Sequence, residues 1–117
     1  MTIFSLIQEL FSLGDYNSAK LGGAMRNDGW SKASRDFINE HPLCEMGLHK
    51  PTLLNILNTH HVIPFNKRPD LEMLESNWIV LCRFHHFIHA HLRNWSSSNP
   101  NIREDCDLLN KKIHERT

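Results

Sequence analysis

Apolar residues recur at helical spacing near the beginning of the chain, between a capping Thr2 and Gly14. The stripe consists of Ile3, Phe4, Leu6, Ile7, Leu10, Phe11 and Leu13. Residues three and four apart share one face of an α-helix, so the stripe predicts an amphipathic helix. We expect this helix to cover the back of the domain; the alternative is a docking helix for a partner or a second copy.

A second helical pattern follows Gly29. Ser31 is a suitable N-cap, and the pattern continues to Glu40, where Pro42 prevents further helix. The residues predicted to face inward are Trp30, Ala33, Phe37 and Ile38.

The centre of the chain has the pattern of two strands joined by a loop. Residues 59–63 are β-branched on both sides of a histidine pair and end at Pro64, and continuity with that pair favours strand for 53–57 as well. Residues 66–75 are polar and without periodicity, which predicts a loop. The apolar run Trp78–Cys82 then predicts a second strand.

Helical periodicity returns at Arg83, with a packed side formed by Phe84, Phe87, Ile88 and Leu92. Residues 96–100 are rich in serine and end in proline, which predicts a linker. A final helix is expected within 101–117, with Cys106 as a small buried residue and a thin apolar stripe of Ile102, Leu108, Leu109 and Ile113. This order of elements predicts the α+β class.

Composition limits the compartment and the partners. The 117 residues carry 13 basic and 13 acidic side chains, so the formal net charge is zero and strong non-specific binding to nucleic acid is not expected. Three cysteines cannot form a complete disulfide framework, which favours a reducing, cytoplasmic compartment. The first residues lack the pattern of a signal peptide, and no apolar run reaches membrane-spanning length, so we expect neither export nor a membrane partner.

Histidines are concentrated in the central part of the chain. Six of the nine lie between residues 58 and 95, at positions 60, 61, 85, 86, 89 and 91. Imidazole is neutral near pH 7 and serves both as a general base and as a metal ligand. This grouping therefore suggests a metal and phosphodiester chemistry.

The order His60-His61, Asn77 and Leu81-Cys82-x-x-His85-His86 resembles the His-Asn-His (HNH) nuclease family. The preceding segments, 30–37 and 41–45, are similar to those of small phage and prophage members. The resemblance implies a ββα-metal (His-Me finger) core in residues 30–95, an N-terminal helix and loop in 1–29, and a linker and C-terminal helix in 96–117. It also implies a metal-dependent endonuclease that nicks or cleaves duplex DNA during phage or mobile-element DNA processing.

The resemblance implies a role for each residue of the pattern. His61 would be the general base that activates water, and Asn77 would hold the loop so that this base stays oriented. His60 and His86 would bind the catalytic divalent ion, which would be Mg²⁺, Mn²⁺, Ni²⁺ or Zn²⁺.

The chain departs from the family pattern at two places. Relatives often carry two Cys-x-x-Cys pairs for a structural zinc, whereas here Cys44 and Cys82 are followed three residues later by Gly47 and His85. One arrangement that still gives four ligands is Cys44, His49, Cys82 and His85; the alternative is that the zinc site is lost.

The second departure is in the helix, where several relatives have a further histidine four residues after the first ligand. Here that position is Ala90. Either His89 serves as a ligand, or the ion has two protein ligands together with water and phosphate. His91 lies outside the pattern and is interpreted as a packing residue.

The expected DNA contacts are basic residues of the central region, namely Lys67, Arg68, Arg83 and Arg93. They are few and are opposed by nearby acidic residues, so a targeting protein partner would be needed for tight binding. The competing hypothesis is a zinc-stabilised binding module that has the fold but no turnover and acts in a phage or defence assembly.

Overall fold

A computed structural model describes residues 26–116 of the chain. The predicted amphipathic helix of residues 2–14 lies outside the described residues. Within them, the elements are helix α1 (Trp30–Glu40), strand β1 (Leu57–His61), strand β2 (Trp78–Cys82), helix α2 (Arg83–His85) and helix α3 (Ile102–Glu115). Helix α2 continues directly into a π-helical turn, His86–Ala90, and the loop between the strands contains 3₁₀ turns at Pro69–Leu71 and Glu75–Asn77.

The two strands form an antiparallel pair that runs from Leu57 opposite Cys82 to His61 opposite Trp78. All five residues of β2 are buried. Strand side chains alternate between faces, and on one face Trp78 and Val80 pack with Phe37 of α1. A small mixed domain of helices and a two-stranded sheet results, in agreement with the α+β prediction.

The opposite face of the sheet carries the larger core cluster. Ile79 and Leu81 of β2 pack there with Cys44 and Met46, with Ala90 of the π-helical turn, and with Ile102 and Cys106 of α3; Cys82, the last residue of β2, belongs to the same cluster. The C-terminal helix therefore shares a core with the central region. None of the helices described in residues 26–116 has the length and apolar character needed to cross a bilayer.

The strand prediction for 53–57 is wrong except at its last residue. Residues 52–55 form a tight turn in which the backbones of Thr52 and Asn55 exchange hydrogen bonds of 3.2 and 3.1 Å. Leu53 at the tip is 93% exposed and Leu54 62%. The apolar residues here do not mark a buried strand, because the chain reverses before β1 begins.

The helices differ from prediction at their ends. Helix α1 begins at Trp30 with Gly29, and not Ser31, at the N-cap, and His41 follows its last residue. In the second helical segment Phe87 is buried as expected, but Phe84 and Leu92 are exposed. Leu92 lies beyond the π-helical turn with a positive φ of 54°, so it no longer shares the packed side.

Helix α3 confirms the prediction of a C-terminal helix but not its whole apolar stripe. Ile102 and Cys106 are buried, whereas Leu108 and Ile113 are exposed. Leu109 is half-buried and packs against the main core cluster. The inward face is thus set by the positions of Ile102, Cys106 and Leu109, which are three and four residues apart.

Candidate functional site

A cleft of about 140 Å³ lies at the end of β1. His60 and His61 are the last two residues of this strand, and both line the cleft although adjacent strand residues face opposite ways. His86 and His91 line it from the helical side. Four of the nine histidines of the chain therefore meet in one small, partly enclosed space.

Three of these histidines converge closely enough to share an ion. Nε2 of His86 lies 3.0 Å from Nδ1 of His60 and 3.2 Å from Nε2 of His91. Their candidate ligand atoms all lie within 4.8 Å of one another. In a tetrahedral zinc site with Zn–N bonds of about 2.0–2.1 Å, neighbouring nitrogens are roughly 3.3 Å apart, so the observed spacing is close to that of a coordinated set.

The proton positions also fit a cation. Nδ1 of His91 is 2.8 Å from the carbonyl oxygen of Ser97, and because a carbonyl only accepts, this nitrogen carries the proton. The lone pair of His91 Nε2 therefore faces His86 Nε2, which also faces His60. A single proton on His86 can be donated to only one of these neighbours, whereas one cation can accept from all three rings.

Burial keeps the three rings neutral. Loss of solvent lowers the pKa of both His60 and His86 well below the usual value, and neighbouring histidines lower it further. Burial also lowers the pKa of His91, against the hydrogen bond to Ser97. Nε2 of His60 is buried and has no hydrogen-bond partner within residues 26–116. Because Nδ1 of His60 faces His86 and the candidate ion, Nε2 would carry the ring proton and would not be the ligand atom.

The π-helical turn explains why His91 takes part. The backbone N–H of His91 donates to the carbonyl of His86 at 3.1 Å, a five-residue step where an α-helix would make a four-residue step. The wider turn places His91 above His86, where Ala90 would otherwise lie. His89 is not part of this candidate group, nor of the second candidate group described below. Its ring lies 5.4 Å from that of His85.

His61 is held on the other side of the cleft. Its Nε2 donates to the backbone carbonyl of Glu72 at 2.9 Å, and its ring lies 4.3 Å from the ring of Trp30. Since Nε2 carries the proton, Nδ1 has the free lone pair of the neutral ring. Burial lowers the pKa of His61, while the bond to Glu72 opposes the shift, so the ring is neutral near pH 7.

Glu72 is a functional candidate that the sequence gave no reason to choose. Its carbonyl accepts from His61 and also from Nε1 of Trp78 at 2.8 Å. Its buried carboxylate accepts from the backbone of Asn27 at 2.8 Å and from Arg26 at 3.1 Å. Glu72 therefore connects His61 to the segment before α1 through hydrogen bonds.

Arg26 also lines the cleft. Its guanidinium lies 4.3 Å from the ring centre of Phe65 and forms the ion pair with Glu72. Its side chain is 31% exposed, which leaves a cation at the rim of the histidine cleft.

Asn77 fastens the loop that follows His61. Its Oδ1 accepts from the N–H of Ile63 at 2.9 Å, and its Nδ2 donates to the carbonyl of the same residue at 3.1 Å. Its own carbonyl accepts from Val62 at 2.8 Å. These three bonds extend the strand pairing beyond His61 and fix the direction in which the chain leaves β1.

A second group of side chains includes His85 of α2. Cys44, His49, Cys82 and His85 have candidate ligand atoms within 4.8 Å of one another. Nδ1 of His85 is 3.4 Å from Sγ of Cys44 and 3.4 Å from Nε2 of His49. With bonds of about 2.3 Å to sulfur and about 2.0–2.1 Å to nitrogen, tetrahedral zinc requires roughly 3.3–3.8 Å between ligand atoms. These four side chains could hold a metal ion such as zinc.

The two thiols of this group differ in proton affinity. A hydrogen bond from Cys44 lowers the pKa of Cys82 to about 3, and the same contact together with burial raises the pKa of Cys44. The backbone N–H of His85 also donates to the sulfur of Cys82 at 3.3 Å. Cysteine sulfur and imidazole nitrogen together form a donor set that suits zinc.

Neither a known family model nor any curated protein or solved structure matches this chain. The functional conclusion therefore depends on the geometry of the two groups and of the cleft.

The four basic residues predicted to contact DNA are in different surroundings. Lys67 is exposed and lines the cleft. Arg68 makes two hydrogen bonds, of 2.9 and 2.7 Å, with the carboxylate of Asp70. Arg83 is half-buried in the first turn of α2, and Arg93 is exposed with a φ of 63°. Among these four, Lys67 is the residue that the fold brings to the histidines.

Proposed function

We propose that this chain is a metal-dependent endonuclease of the HNH type, with a ββα-metal core made of β1, β2 and the helix that follows. The main support is one arrangement: a neutral His61 with a free Nδ1 lone pair lines the same cleft as the converging His60, His86 and His91. A hydrolase of phosphodiesters needs both a base for water and a site for a cation next to it.

His61 would act as the general base. The carbonyl of Glu72 fixes the proton on Nε2, so Nδ1 is available to take a proton from an attacking water. A pKa below the usual value keeps the ring unprotonated at neutral pH. Asn77 supports this role indirectly, because it fixes the loop immediately after the base.

His60, His86 and His91 would hold the divalent ion. A bound ion supplies Lewis-acid stabilisation of the charge that develops on the phosphate and on the leaving oxygen. The group contains three imidazoles and no carboxylate, and such donors favour zinc, nickel or cobalt over magnesium. We therefore narrow the four ions expected from the sequence to the transition metals, with Zn²⁺ and Ni²⁺ first.

DNA would be bound mainly through its backbone. Arg26 and Lys67 are the basic side chains among the residues that line the cleft, and either can contact a phosphate next to the scissile one. With zero formal charge overall, free affinity would be low and steeply salt-dependent. A targeting protein partner in a phage or mobile-element system would raise it.

The second candidate is a non-catalytic, zinc-stabilised binding module. Two observations favour it: the candidate ligand atoms of Cys44, His49, Cys82 and His85 lie within 4.8 Å of one another, and the formal net charge is zero. It leaves unexplained why a neutral histidine with an oriented lone pair lies beside three converging imidazoles.

Cleavage of supercoiled plasmid separates the two functions. Purified protein should relax the plasmid with Zn²⁺, Ni²⁺ or Mn²⁺, and EDTA should stop the reaction. His61→Ala should lower the rate by about 10²–10⁴-fold, which is the contribution of a positioned general base. His114→Ala, at an exposed position near the end of α3, is the matched control and should cleave like the wild type.

Binding of Ni²⁺ by His61→Ala should be retained, since His61 is not one of the three converging residues. If wild type and His61→Ala cleave equally slowly with every metal, the chain is not an endonuclease and the binding module is the better description.

A further inference from the structure

Two consecutive residues connect the two candidate metal groups. His85 belongs to the group with Cys44, His49 and Cys82, and His86 belongs to the group with His60 and His91. Both lie where α2 passes into the π-helical turn. The peptide bond between them is planar, so only the backbone and side-chain dihedral angles of these two residues separate the two groups.

Hydrogen bonds hold this segment at both ends. At its far end the backbone N–H of Asn99 donates to the carbonyl of Ala90 at 2.7 Å, and Nδ2 of Asn99 donates to the carbonyl of His89 at 3.0 Å. The N–H of Arg83 donates to the carbonyl of Ile56 at 2.8 Å, and the N–H of Phe84 donates to Oδ1 of Asn55 at 2.8 Å. The next anchor is at His85, whose N–H donates to the sulfur of Cys82 and whose ring contacts Cys44 and His49. Helix α2 continues directly into the π-helical turn, so His85 and His86 lie within one continuous helical segment.

We propose that the group of Cys44, His49, Cys82 and His85 positions His86, so that metal binding at this group and at the three-histidine group is positively coupled. The inference rests on the proposed function in one respect, namely that the three-histidine group is the catalytic one. Here His85 is a positioning residue: an ion on it would join the segment 44–49 to the end of β2 and the start of α2. The rings of His60 and His91 would then meet His86 in a fixed place.

Coupling requires that the segment makes different contacts when the cysteine-containing group holds an ion and when it does not. An ion on the cysteine-containing group would add coordination bonds to the contacts of 3.3 to 3.4 Å that His85 makes with sulfur and imidazole atoms. The competing outcome is that the hydrogen bonds of Arg83 and Phe84 are sufficient, in which case the groups would bind ions independently.

The first test measures Ni²⁺ affinity by isothermal titration calorimetry on protein supplied with one equivalent of zinc. His49→Ala removes one ligand at a half-buried position, and His49→Cys replaces it with another. His49→Ala should weaken Ni²⁺ binding between about 5-fold and 150-fold, the usual range of coupling, and His49→Cys should restore it. His89→Ala, next to His85 but in neither group, should bind Ni²⁺ like the wild type.

Equal Ni²⁺ affinity in wild type and a folded His49→Ala, with zinc loss confirmed by elemental analysis, would overturn the proposal. The charge-transfer absorption of Ni²⁺ bound to thiolate identifies any ion that enters the cysteine-containing group instead. Plasmid cleavage is not measured, so failure here is distinct from failure of the proposed endonuclease function.

The second test needs no folded zinc-site variant, because coupling is reciprocal. Saturating Ni²⁺ should raise the zinc affinity of the wild type by the same factor, as measured by competition with a chromophoric chelator. His91→Ala removes a ligand from the three-histidine group only, so Ni²⁺ should have little effect on its zinc affinity. Unchanged zinc affinity in the wild type with and without Ni²⁺ would refute coupling.

Discussion

Acidification of the metal-free protein should destabilise it steeply, because the cleft buries several neutral histidines. Burial lowers the pKa of His60, His61, His86 and His91 in the folded state. In the unfolded chain each returns to about 6.5. Between the lowered pKa and about 6.5 the unfolded chain binds more protons than the folded chain. The contribution of each neutral ring to the free energy of unfolding is therefore complete above this window and is lost as the pH falls through it.

The expected slope follows from the number of protons. Each histidine that is protonated only on unfolding changes the free energy by about 1.4 kcal/mol per pH unit. His60 and His86, whose pKa lies well below the usual value, together give up to about 2.7 kcal/mol per unit. His61 and His91 raise the upper limit to about 5.4 kcal/mol per unit. A small domain with a stability of about 5–15 kcal/mol would lose a large part of it within two pH units.

Urea unfolding in the presence of a chelator, at several values between pH 8 and pH 5, measures this slope. His86→Gln removes one titrating ring and should reduce the slope by about 1.4 kcal/mol per unit. Saturating Ni²⁺ at 100 times its Kd should add about 2.7 kcal/mol at a given pH. A wild-type slope below that of one proton between pH 6 and pH 5 would refute the account of four buried neutral rings.

Three further predictions concern single features. His91→Ala should weaken Ni²⁺ binding at least tenfold in calorimetry, whereas His89→Ala should not. A larger loss of affinity in His89→Ala than in His91→Ala would mean that His89, and not His91, is the third ligand. Asn77→Ala leaves the backbone groups of Ile63 without partners and should lower the free energy of unfolding by about 1–3 kcal/mol in urea titration, and no loss would mean that water replaces the amide. Zinc removal should lower the melting temperature of the wild type, and calorimetry that finds no change would show that the cysteine-containing group contributes nothing to folding.

Much of the fold could be predicted because the relevant signals are local. The apolar run Trp78–Cys82 is a strand over the predicted residues, and its complete burial follows from packing between α1 and α3. Helix α1 ends at the predicted Glu40. The prediction for 53–57 was wrong because a tight turn at Thr52 to Asn55 exposes leucines, and apolar composition cannot distinguish an exposed turn from a buried strand.

The candidate site could be predicted only in part, because some of its contacts have no signal in the local sequence. The family resemblance suggested Cys44, His49, Cys82 and His85 as one possible ligand set, and the fold brings all four together. His91 was given no role, because four-residue helical spacing points to Ala90 and a π-helical turn has no clear sequence signal. Glu72 was missed because its carbonyl, which any residue possesses, makes the contact with His61.

The widened turn at His86–Ala90 means that the position of His91, the proposed third ligand, depends on how tightly the backbone is wound. Rewinding this segment as an ordinary α-helix would rotate His91 by about 100° about the axis and bring a methyl group in its place. An ion bound by His91 would oppose that slippage. Ion capture and helix winding would then be two aspects of a single equilibrium in this protein.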